Sequence, residues 1–193
     1  HHPTVLQIGS TVFVHGGVLP HHVEYGLEKI NRDARAWMQG GKADTQRLLG
    51  TGTGGNAVAG RETLLPPASP SFFRGGTAIV WARDFSAEDE RRCDCEKLLK
   101  VLHAVPGAER MVMGHTIQDV GINSACEGRA LRVDVGLSRG CGDGQVEALE
   151  ILQNGEKLRR LREGLAPLDM RTTEKGDTTK PQEPAAGQAN SGR

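Results

Sequence analysis

Along the first 153 residues, short runs of β-forming apolar residues alternate with polar, glycine-marked breaks. Val5–Ile8 and Thr11–Val14 read as two strands joined through Gly9 and Ser10. Segment 21–38 then places Val23, Leu27, Ile30, Ala34 and Trp37 at helical spacing, with Glu24, Glu28, Arg32 and Arg35 off that stripe. That spacing predicts one amphipathic helix, with His21 and His22 exposed at its start. Residues 77–81, TAIVW, read as a buried strand or extended segment. Ser86 is expected to cap a helix reaching to Ala104, with Glu88 and Asp89 in the first turn and Cys95, Leu98, Leu99 and Leu102 buried. Residues 111–113, 130–135 and 146–152 read as further strands, the last two as a terminal hairpin closing a sheet, with 117–126 a loop. Strands alternating with helices predict an α/β layer.

Two segments lack this patterning. Residues 39–74 are glycine-rich, then proline-rich, and are expected to form a flexible insert. Gly50, Gly52 and Gly55 match GxGxxG, but no strand precedes them and Pro66-Pro67 soon follow, so nucleotide binding is excluded on context. Residues 154–193 are expected to be a polar, largely disordered tail, with a short helix over 156–163.

Composition adds limits. Of 193 residues 37% are hydrophobic and only 4% aromatic, which suits one domain diluted by loops. With 24 basic and 24 acidic side chains, no bulk charge favours nucleic acid as a partner. No run approaches the roughly 20 apolar residues of a membrane span. The four cysteines, Cys93, Cys95, Cys126 and Cys141, read as reduced intracellular thiols, or else as a redox-sensitive cluster near Asp134. The compartment stays open: cytoplasm, or an organelle such as the chloroplast.

The chemistry gathers at two strand ends. TVFVHGG ends in His15 beside Gly16 and Gly17, and MVMGHT carries His115 after Gly114. Each histidine alone could be a hydrogen-bonded structural residue. Two imidazoles brought to one sheet edge would suit a divalent metal.

FVHGG, VWARDFS, MVMGHT and RVDVGLSRGCGDGQVEALEI occur in that order within residues 5–152. The set resembles the second half of the Shewanella-like protein phosphatases, calcineurin-like metallophosphoesterases of the phosphoprotein phosphatase group. The first-half motifs of that family, GDxHG, GDxxDRG and GNHE, do not occur: Gly142-Asp143 and Gly176-Asp177 lack the required followers, and Asn56 is not followed by His-Glu. The chain also begins at His1 without methionine, so the expectation is a C-terminal portion of a larger protein or a truncated gene model.

The resemblance implies part of a β-sandwich flanked by helices, four αββα layers when complete. It implies hydrolysis of phosphate monoesters on a phosphorylated protein, serine or threonine esters first, by a metal-activated water. Two divalent ions of the Mn, Fe or Zn class would serve the intact enzyme, with at most one partial site here. His15 and His115 would be ligands of one metal, and Arg83 would clamp phosphate, its alternative being a salt bridge with Asp84. Asp134 would accept the outer N–H of a ligating histidine, or else cap a turn. Asp119 and Asn123 are expected to shape the loop. Without its missing N-terminal half the chain is expected to be inactive, to bind metal weakly, and to be poorly soluble or partly unfolded alone. The alternative is a non-catalytic binding or regulatory module with a degenerate phosphatase fold.

Overall fold

The computed structural model describes residues 2–39 and 69–170. Strands β1 (Val5–Ile8) and β2 (Thr11–Val14) form the expected hairpin, with Val5 opposite Val14 and Ile8 opposite Thr11. β3 (Arg110–Met113) joins β2 in parallel, and β5 (Ala130–Arg132) joins β3 in parallel. β4 (Asn123–Ala125) pairs antiparallel with β5 inside the segment read as a loop, giving the order β1-β2-β3-β5-β4. Residues of β3 are buried throughout, as parallel strands covered on both faces require.

Helices cover one face of this sheet. α1 (Pro20–Tyr25) and α2 (Leu27–Met38) replace the single helix expected over 21–38. Gly26 breaks it: φ is 97°, open to glycine, and its N–H donates to the carbonyls of His22 and Val23. Ile30 and Ala34 of α2 meet Val12, Val14, Met111 and Met113 in the main core. α3 (Cys95–Ala104) adds Leu98, Val101 and Leu102. It starts nine residues after Ser86 because Asp94 is the cap, its carboxylate accepting the Lys97 N–H at 3.0 Å. Ser86 is drawn into tertiary bonds instead: its carbonyl accepts from Gln118 Nε2 at 3.1 Å, and its hydroxyl lies 2.9 Å from that of Thr116.

Residues 77–81 form successive turns and not a strand, since the Ala78 carbonyl accepts from the N–H groups of both Trp81 and Ala82. Most of the expected insert, residues 40–68, lies outside the described residues. Its last part packs: Phe72, in a 3-10 turn at Ser71–Phe73, is buried against Tyr25, with ring centroids 5.4 Å apart.

β6 (Glu147–Leu152) does not close the first sheet. It starts a second one, pairing with β7 (Lys157–Arg162), which pairs with β8 (Leu168–Asp169). The helix expected over 156–163 is therefore a strand; Ile151 lies opposite Leu158, and Leu158 is buried. Leu158 and Met170 join Val112, Ile122, Leu131 and Val135 in a second core on the other face of the first sheet. Residues 157–170, expected as disordered tail, are thus part of the fold; 171–193 lie outside the described residues. No described helix is long and apolar enough to cross a membrane.

Two polar clusters tie the sheets together. Arg110 is buried and donates to Ser10 Oγ at 2.7 Å and to the Asn154 carbonyl at 3.3 Å, linking the β1–β2 turn to the β6–β7 turn. The Glu147 carboxylate, 2% exposed, accepts from the Ile122 N–H at 2.7 Å and pairs with Arg160 and Arg162. A Cys95–Cys126 disulfide joins α3 to the end of β4, which corrects the reading of four reduced thiols; Cys93 is free and buried, Cys141 free and exposed.

His22 also departs from expectation. It is fully buried, because its Nδ1 accepts the Leu19 N–H at 2.9 Å and turns the ring inward. The proton then sits on Nε2, which has no partner. Burial first, then the neighbouring His21, lowers its pKa from 6.5 to about 4, with Asp84 acting the other way. Between those values the unfolded chain binds a proton that the folded chain refuses, so this contribution is complete above pH 6.5 and lost as pH falls towards 4.

The unfolding free energy from urea titrations is expected to fall between pH 7.5 and about 4.5, by roughly 2–3 kcal/mol for this group, and to fall less steeply in His22→Gln. Glu147→Ala, which leaves Arg160 and Arg162 without their buried partner, is expected to cost about 3 kcal/mol in a denaturant titration.

Candidate functional site

The parallel pairing of β2, β3 and β5 points their carboxyl ends to one edge of the sheet, where ligands of open α/β sheets gather. His15 follows β2 directly, His115 follows β3 by two residues, and Asp134 follows β5 by two. Strand geometry thus delivers all three to the same edge. The Gly114 N–H donates to the His15 carbonyl at 2.9 Å, extending the β2–β3 pairing into the site. The His15 and His115 ring centroids are 5.2 Å apart. His15 is exposed and His115 half-buried.

His115 holds φ 66°, the left-handed region that costs a residue with a Cβ. The loop beyond it is fixed by Gln118, whose Nε2 donates to the Thr116 and Ser86 carbonyls at 2.9 and 3.1 Å. His115 Nε2 is buried and has no hydrogen-bond partner. Its pKa is lowered, chiefly by burial, then by the charges of Arg83 and His15, while Asp134 opposes. A neutral imidazole with a bare ring nitrogen beside a second imidazole is the donor chemistry of a borderline metal. The set is small: among the described residues no group of three or more His, Cys, Asp or Glu side chains is placed to hold an ion.

Arg83 is exposed, and no carboxylate among the described residues pairs with it; Asp84 pairs with Lys97 at 2.6 Å. The Arg83 guanidinium instead lies 5.2 Å from the centroid of Trp81, whose ring is 4.6 Å from that of His115. Arg83, Trp81, His115 and His15 therefore form one continuous cluster. Asp134 Oδ1 accepts the Gly136 N–H at 3.0 Å, so its hydrogen bond is the turn cap, and its tie to His115 is one of charge. Asn123 Nδ2 donates to the Gly121 carbonyl at 2.7 Å, shaping the loop, and Asp119 is exposed.

Trp81 lies in the VWARDFS motif, but nothing in the sequence assigned it a role in the site. Its place depends on Gly16: a Cβ there would stand 2.7 Å from the Trp81 backbone nitrogen, and the N–H groups of Gly16 and Gly17 both donate to the Ile79 carbonyl. The HGG sequence is thus a docking surface for the turn that carries Trp81 and Arg83.

No family model matches the chain. Over 148 residues, 77% of its length, it is 46% identical to Shewanella-like protein phosphatase 2 of Arabidopsis thaliana, and it spans 32% of that protein. Over 75 residues, 39% of its length, it is 40% identical to an uncharacterized protein of Schizosaccharomyces pombe, spanning 22% of it. Among solved structures it is similar to the cold-active protein tyrosine phosphatase of a Shewanella species, with TM-score 0.59 and 18% identity, covering 87% of this chain and 43% of that one. A point mutant of a cold-active protein tyrosine phosphatase gives the same TM-score at 20% identity, with the same coverage of both chains. At that identity the likeness is one of fold. The chain spans about a third of the first relative, and over that region it is a homologue of the Shewanella-like protein phosphatases, the family whose ordered motifs it resembles.

Proposed function

We propose that this chain is the C-terminal part of a metal-dependent phosphomonoesterase of the phosphoprotein phosphatase group. The observation that carries this reading is the bare, buried Nε2 of His115 beside the His15 ring, at the edge where three parallel strands end. His15 and His115 would hold one divalent ion of the Mn, Fe or Zn class. Such an ion supplies an activated water and neutralises phosphoryl oxygens. Arg83, which lies over the Trp81 ring in this cluster, would present its fork of donors to the phosphoryl group, a geometry a lysine cannot copy. Asp134 balances the positive charge of Arg83 around His115. The family resemblance points to phosphoserine and phosphothreonine on proteins as substrates, and to a preceding half supplying the remaining ligands and the proton donor. The helix–sheet–sheet stack described above would then be one side of an αββα sandwich completed by that half.

A non-catalytic binding module is the second reading. It is favoured by the lack, among the described residues, of a third ligand near the histidines.

The full-length product carrying this chain is expected to release phosphate from phosphoserine and phosphothreonine peptides with Mn, and to stop on chelation. The 193-residue chain alone is expected to release none. His15→Ala and His115→Ala should each lower kcat by at least about 100-fold, since even a residue behind a ligand costs 10- to 100-fold. Activity that survives chelation, or both alanine variants at wild-type rate, would refute the metal-dependent reading; no activity in the intact product would leave the binding module standing.

Arg83→Ala should lower kcat/KM by about 100- to 1,000-fold, the scale for one lost donor to developing charge, and Arg83→Lys should recover little of it. Full recovery by lysine in a steady-state assay would reduce Arg83 to a point charge.

A further inference from the structure

Gln118 is 2% exposed, and both the nitrogen and the oxygen of its amide are engaged. Its Nε2 donates to the Thr116 carbonyl at 2.9 Å and to the Ser86 carbonyl at 3.1 Å, while its Oε1 accepts from Asn123 Nδ2 at 3.2 Å. Its backbone N–H donates to the Asp134 carbonyl at 2.8 Å. These partners sit on three separate segments. Thr116 adjoins His115, Ser86 stands on the turn that follows Arg83, and Asp134 follows the third parallel strand. One buried residue thus joins the segments that carry the predicted ligand, the predicted clamp and the nearby carboxylate. Ser86 is itself fully buried, so its carbonyl is a fixed point for the others.

His115 needs such an anchor. The Thr116 N–H donates back to the Gly114 carbonyl at 2.8 Å, and His115 between them holds φ 66°. A bond from residue i+2 to residue i across a positive φ is the strained form of the γ-turn. A residue with a Cβ stays in it only where the surrounding structure holds it there. The Gln118 amide grips Thr116, the residue that moves first if this turn relaxes.

We infer that Gln118 is the positioning residue of this site: its amide holds His115 in the strained turn that sets the imidazole beside His15. The inference rests on the metal-dependent reading above and adds to it what fixes the geometry of one ligand. Gln118 acts only through His115 and has no contact of its own with the metal or the phosphoryl group. Two ring nitrogens share an ion only if both converge on it, so a relaxed turn costs affinity on the scale of a lost supporting partner, about 10- to 100-fold.

The experiment uses the full-length product and three variants. Gln118→Met keeps the length of the side chain and removes the donor from both carbonyls. Gln118→Asn keeps the amide one methylene shorter, and carries the test if the methionine variant does not fold. Ser10→Ala is the control: it removes a buried hydrogen bond at the opposite edge of the sheet, before β2, and lowers stability without touching the loop. In the metal-free protein with labelled histidine, the intraresidue HN–Hα cross-peak of His115, strong where φ is positive, is expected to weaken in both Gln118 variants and to persist in Ser10→Ala. Mn binding, followed by the electron-spin signal of the free ion, is expected to weaken at one site by about 10- to 100-fold in Gln118→Met and to stay unchanged in Ser10→Ala. An unchanged cross-peak in the Gln118 variants would overturn the inference. So would a weakened cross-peak with unchanged Mn affinity, or equal losses in Ser10→Ala. A wild type that binds no Mn would remove the metal-dependent reading, and the cross-peak would still decide whether Gln118 sets the turn.

Discussion

The parallel pairing of β2, β3 and β5 is the constraint on which the rest of this molecule depends. Three strands running the same way must end at the same edge, so whatever follows each strand meets there. His15, His115 and Asp134 are neighbours for that reason, although 100 residues of chain separate the two histidines. The same pairing demands cover on both faces, because a central strand such as β3 has no polar side to give to water. α1, α2 and α3 supply one cover and the β6–β8 sheet the other.

Cover by a second sheet brings charged groups indoors. Arg110 and Glu147 are both nearly inaccessible, and each is tolerated only because its hydrogen-bonding capacity is met on several sides. Their partners come largely from other parts of the chain: Ser10 and Asn154 for Arg110, and for Glu147 the Ile122 loop together with two arginines of the neighbouring strand β7. The loop bound by Glu147 continues from the one that carries His115, so the second sheet helps hold the site edge in place.

The strands were legible in the sequence wherever apolar β-formers stood in unbroken runs: β1, β2 and β3 lie within a residue of their expected bounds. The two histidines were legible because each stands at the end of such a run with glycine beside it. What was not legible depended on contacts between distant residues. Ser86 has the chemistry of a helix cap, yet Thr116 and Gln118 claim it. TAIVW has strand propensity, but the glycines after His15 accept it as a turn. The KLRRLR of β7 spaces its apolar residues, Leu158 and Leu161, three apart as a helix would, and only the pairing with β6 opposite makes it a strand. His22 is polar and sits at a helix start, both marks of exposure, until the Leu19 N–H turns it inward. Trp81 is the same kind of case: nothing in its neighbours announces a place beside His115, because its position is set by where Gly16 lets the turn sit.

The Cys95–Cys126 bond spans 31 residues, and within that span lie β3, Gly114 and His115. The segment that carries one half of the histidine pair is therefore a closed covalent ring, anchored at one point to the start of α3 and at the other to the end of β4. A single backbone cut anywhere inside the ring opens it without releasing either piece, so His115 stays attached to the molecule at both ends of the break.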